Sequence, residues 1–76
     1  MAIGSYSTQA AAEAAAAAGS IDPFEMAFAG RGLEVLAWDD GSYSVRGSCG
    51  WDVGTEGPSI IGGQRHTYRV VAQIAA

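Results

Sequence analysis

Three patterns of apolar and polar positions follow one another along the chain. The first, QAAAEAAAAAG, is almost all alanine, the strongest helix former. Ser7 or Thr8 is placed to cap its start, and Gly19 to stop it in the left-handed conformation. A helix without large side chains packs only by close approach of its backbone, and at this length it is marginal alone. Its expected partner is a sheet further along.

The second pattern, IDPFEMAFAG, carries a dense helix-start signal. Asp22 can cap, Pro23 suits the first helical position, and Glu25 completes a capping box. Ile21 and Met26 stand where a hydrophobic staple requires them. Phe24, Ala27 and Phe28 make one apolar face, so a second short helix is expected from Pro23 to Ala29.

The third pattern is strand-like. In LEVLAWDDGSYSVRG, Asp40-Gly41 reads as a two-residue type I′ turn. That turn sets Trp38 opposite Tyr43 and Leu36 opposite Val45 on one face. Leu33, Val35 and Ala37 then share the other face with Ser44 and Arg46. The glycine-punctuated SCGWDVGTEGPSIIGGQ reads as a long loop with a short strand at Ser59-Ile60-Ile61. In the last segment His66, Tyr68, Val70, Ala72 and Ile74 alternate with Thr67, Arg69, Val71 and Gln73, as in a half-buried strand. The expected fold class is α+β, with two short helices followed by a small antiparallel sheet of three or four strands. Residues 1–76 read as a single domain.

Charge narrows the function classes. The formal net charge is −4, and the sequence contains no lysine. Four arginines, Arg31, Arg46, Arg65 and Arg69, are scattered and form no basic stripe for phosphates. Direct nucleic-acid binding is therefore not expected, nor is docking on an anionic membrane. No apolar stretch is long enough to span a bilayer. The lone cysteine, Cys49, fits a reducing compartment, and the amino-terminal residues lack the positive region of a signal peptide. The expectation is a cytoplasmic protein.

Catalytic and cofactor motifs are weak. Cys49 and His66 could form a thiolate–imidazole pair, but no orienting third group or oxyanion donor accompanies them. One Cys and one His make no closed zinc site, and the acidic residues have no calcium-loop spacing. Neither an enzyme nor a cofactor nor a metal is expected. The candidates that remain are partner-binding ones: Asp39 and Asp40 at the hairpin tip, Asp52 and Glu56 in the glycine-rich segment, Glu34 on the first strand, and Trp51, which either covers the core or anchors an interface.

A short alanine-rich helix, a hairpin with an acidic turn and a final strand, without a catalytic signature, resemble the small acidic phage-encoded anti-CRISPR proteins. The resemblance is one of style over the whole chain and rests on no shared motif. It implies a stoichiometric inhibitor of a type I effector complex, with type I-C as the particular expectation. Such an inhibitor would act as a DNA mimic, presenting carboxylates to a basic channel and blocking target DNA. Charge alone is insufficient, because exposed ion pairs contribute only about 0–1 kcal/mol each. Size is adequate: a chain of this mass exposes roughly 4,400 Å², and a standard interface takes about 800 Å² from each partner. The alternative is a small phage structural or assembly protein that self-associates through an apolar face, Ile60-Ile61 or an open sheet edge.

Overall fold

A computed structural model describes residues 2–23, 25, 32–48 and 50–75. Among the described residues, helix α1 (Gln9–Ala18) precedes four strands: β1 (Leu33–Trp38), β2 (Tyr43–Gly47), β3 (Glu56–Ile61) and β4 (Gln64–Ile74). All pairings are antiparallel, and the spatial order is β2-β1-β4-β3. The class is α+β with a small sheet, as the patterning implies. Of the second expected helix, Pro23 and Glu25 have helical backbone; its other residues lie outside those described.

The alanine helix forms where its caps place it. The Thr8 side chain accepts a hydrogen bond from the Ala11 N–H, and Gly19 closes the other end at φ 71°. Ala12 and Ala16, one turn apart, are its buried residues. Ala16 packs with Leu33, and Ile21, Val45 and Ile74 gather around them. The small side chains let the helix lie close to the sheet, so the apolar area comes from the strands. Leu36, Tyr68 and Val70, with Trp38 against them, form a second cluster.

The first hairpin is set one residue away from the expected register. Leu36 faces Ser44 and Ala37 faces Tyr43. A type I′ turn needs positive φ at both central residues, but among the described residues, Asp40 included, no non-glycine residue has it, whereas Gly41 sits at φ 85°. The Gly41 N–H donates to the Trp38 carbonyl, and the Trp38 N–H donates to Ser42. The connection is therefore a three-residue loop, Asp39 to Gly41, of the kind that ends in a glycine bulge. A one-residue slip exchanges faces: Tyr43 and Val45 join Val35 and Ala37, and Arg46 comes opposite Glu34.

β4 is not single-sided either. Val35 pairs with Ala72 while Leu36 pairs with Val70, so the register shifts and Val71 is the extra residue. Such a bulge moves the next side chains to the other face. Val70 packs with Leu36, while Ile74 lies against the Ala16–Leu33 cluster.

The segment expected as a long loop holds a full strand, β3. Ile61 pairs with Gln64 across Gly62-Gly63, both at positive φ, which is the two-residue hairpin turn. At Gly57 a Cβ would lie 2.8 Å from the Tyr68 hydroxyl oxygen, so the aromatic ring occupies the space over the glycine.

Candidate partner-binding site

The two tip carboxylates hold the molecule together as well as charging its end. The Asp39 carboxylate accepts the Thr67 N–H at 2.9 Å and meets His66 Nδ1 at 3.0 Å. Its own N–H donates to the Thr67 carbonyl. Asp39 therefore ties the first turn to β4. The Thr67 N–H, and next His66, lower its pKa from the usual carboxylate value.

Asp40 reaches the other way. Oδ1 accepts from the Ser42 N–H at 2.9 Å and the Ser42 hydroxyl at 2.6 Å, and Oδ2 accepts from the Ile3 N–H at 2.9 Å. These bonds, led by the Ser42 hydroxyl, bring its pKa down to about 2. The Gly4 N–H also donates to Ser42 Oγ, and Tyr6 exchanges two backbone bonds with Tyr43. The amino-terminal segment thus runs along the outer side of β2, anchored by Asp40.

The remaining acidic candidates lie apart. Asp39 and Glu56 share a shallow hollow of about 260 Å³ with Arg69. Glu56 pairs with Arg69 at 3.2 Å in an exposed contact. Asp52 is exposed in a turn whose backbone is closed by Thr55. Glu34 is 0 % exposed and cannot present its carboxylate to a partner in this conformation. The candidates therefore form no single array. Asp39 and Asp40 face different neighbours, Glu56 joins Asp39, Asp52 stands alone and Glu34 is internal.

Glu34 belongs to a site that sequence reasoning missed. Arg46 Nε donates to Glu34 Oε1 at 2.6 Å. The guanidinium lies 4.8 Å from the Tyr68 ring centroid and 5.4 Å from that of Trp51, and Trp51 stacks on Tyr68 at 6.2 Å. Burial opposes the charge on Arg46, but the bonds to Glu34 and Tyr68 outweigh it and raise its pKa. Glu34 Oε2 and Arg46 Nη2 are buried without a hydrogen-bond partner among the described residues. Gln73 donates to the Trp51 carbonyl. Trp51 therefore lies over the pair, yet remains 38 % exposed. Both roles weighed for it from sequence, cover and anchor, are physically open to it.

The outer edge of β3 is guarded. Val70 donates to Thr55, which marks the bonded pairs and gives every second residue beyond them, Glu56, Pro58 and Ile60, outward-facing backbone groups. Pro58 has no N–H there, and its ring obstructs an added strand. Among the described residues no group of three His, Cys, Asp or Glu side chains could hold a metal ion, and no helix is long and apolar enough to cross a membrane. Cys49 lies outside the described residues, so its pairing with His66 has no geometry to report.

In comparison with known proteins, no family model, no curated protein and no solved structure matches the chain.

Proposed function

We propose that the protein is a small binding protein that docks its hairpin-tip end onto a basic surface of a partner protein. In its fuller form, drawn from the resemblance above, the proposal is a stoichiometric anti-CRISPR inhibitor that covers a DNA-handling surface of a type I effector complex, with type I-C the subtype to test first. The observation that carries the reading is the tip itself. Asp39 and Asp40 are adjacent, exposed and fixed by internal hydrogen bonds. Charges already fixed before binding lose little freedom on docking, and both carboxylates stay ionised at neutral pH. Glu56, Asp52 and the exposed part of Trp51 supply flanking contacts; Glu34 is no longer among them. The total surface, 4582 Å², leaves ample room for a standard interface.

Because Asp39 and Asp40 also hold the fold, reversing them would confuse binding with folding. The clean variant is Asp52→Arg with Glu56→Arg, which disturbs only the exposed pair with Arg69. Purified guide-loaded type I effector is titrated with the protein while binding of labelled target DNA is read at two salt concentrations. The expected result is loss of DNA binding near one or a few equivalents, weaker at high salt, and weaker again for the double variant. Unaffected DNA binding with no co-migration of the two proteins would discard the mechanism for that complex.

A second reading, self-association as a small phage structural or assembly protein, draws on Ile60, which is 69 % exposed. Pro58 disfavours a regular edge-to-edge sheet, so this reading rests on side-chain packing. Light scattering separates the two: a stable ring or chain favours assembly.

A further inference from the structure

A hollow of about 630 Å³ lies where the amino-terminal segment, the first turn and the β3–β4 turn meet. Its lining is mixed. Ala2, Ile3 and Ile61 supply apolar wall, while Asp40, Gln64 and His66 supply polar atoms. Asp40 has three hydrogen bonds already, two on Oδ1 and one on Oδ2. A carboxylate offers about four acceptor positions, so about one remains, on Oδ2. That is too few for the two parallel bonds of an arginine fork. His66 faces Asp39 through Nδ1. Gln64 lines the same hollow, and its side-chain amide carries a second acceptor oxygen.

We infer that this hollow is a binding site for a primary ammonium group on an apolar stem, the lysine side chain of a protein partner. An ammonium brings three donors and a single positive charge. Asp40 Oδ2 and the Gln64 amide oxygen are two acceptors with one fixed negative charge between them. The methylene stem lies along Ile3 and Ile61, as lysine stems do on apolar surface. The inference rests on the reading that this end meets a basic surface, and it names the partner group that the hollow selects.

The test is an NMR titration of the isotope-labelled protein at neutral pH with Nα-acetyl-lysine methylamide. The Nε-acetylated form serves as the neutral control, and the arginine analogue as the competing cation. The expected result is saturable shifts at the amides of Ala2, Ile3, Asp40, Ile61 and Gln64, absent with the neutral control and weaker with the arginine analogue. Gln64→Met, which keeps the stem and removes one acceptor at an exposed turn, should weaken the lysine probe about fivefold with the rest of the spectrum unchanged. No shifts at these amides, equal shifts with the neutral control, equal or stronger shifts with arginine, or shifts spread evenly to Asp52 and Glu56 would each overturn it. The inhibitor reading is judged separately. If DNA binding is blocked while the lysine probe gives no response, the hollow fails alone; if the probe binds while the effector is ignored, the inhibitor reading fails alone.

Discussion

The two hairpins of this molecule solve the same problem in different ways. The first, β1–β2, turns through three residues, and both carboxylates of its turn are engaged: one holds β4, the other holds the amino-terminal segment. The second, β3–β4, turns through Gly62-Gly63, and a Cβ at either glycine would meet nothing within 4 Å. Its turn depends on backbone conformation alone. The contrast shows what a second Asp beside the turn is for. Asp40 shapes the turn with Ser42, and together the two carboxylates join three segments that are distant in sequence. The charged end of the molecule is then also a well-tied end, which suits a binding surface.

The comparison can be broken from several sides. Glu34→Ala should have the largest effect, because it leaves Arg46 partly buried without its partner. Breaking such a pair costs about 3 kcal/mol, readable as a lower denaturant midpoint with loss of the Trp51 fluorescence environment. Gly57→Ala attacks the second hairpin where Tyr68 covers it; the crowding at 2.8 Å should cost about 2 kcal/mol and leave the first turn intact by NMR. Asp40→Asn should destabilise the protein and loosen Ile3 in particular. Its signature is in pH. The Asp40 pKa is lowered from 3.8 to about 2, so its contribution is present above the unfolded value and is lost as pH falls through the folded one. The stability advantage of the natural protein over Asp40→Asn should therefore shrink across that window in acid titration. Gly62→Asn should change least, within about 0.5 kcal/mol, because Asn-Gly suits the same turn.

These differences also explain what could be read from the chain beforehand. Thr8 and Gly19 announce α1 because capping is local chemistry. The register of the first hairpin is not local. Asp40-Gly41 fits more than one turn, and in the observed one Asp40 also accepts the Ile3 N–H from 37 residues away in sequence. That single step concealed the ion pair: in the expected register Glu34 would face Gly47, whereas in the observed one it faces Arg46. The bulge at Val71 is hidden because residues on both sides of it are apolar, so the alternation reads as unbroken. β3 is obscured by Gly57 and Pro58, which depress strand propensity. One is roofed by Tyr68, and the other sits where an edge strand tolerates it. The Gly62-Gly63 hairpin turn falls inside the segment expected to be a loop, where it is one of several glycine signals. Among the candidate site residues, exposure at Asp39, Asp40, Asp52 and Glu56 follows from their polar settings. The burial of Glu34 and the hollow beside Asp40 required the tertiary structure.

The most direct test of the clamped tip is amide hydrogen exchange on the free protein at neutral pH. The account predicts strong protection of the Ile3, Ser42 and Thr67 amides, which donate to Asp40 and Asp39, against fast exchange at Gly62 and Gly63. Exchange at Ile3, Ser42 and Thr67 as fast as at the two glycines would show that the carboxylates do not fix this end, and would remove the basis for a preorganised acidic surface.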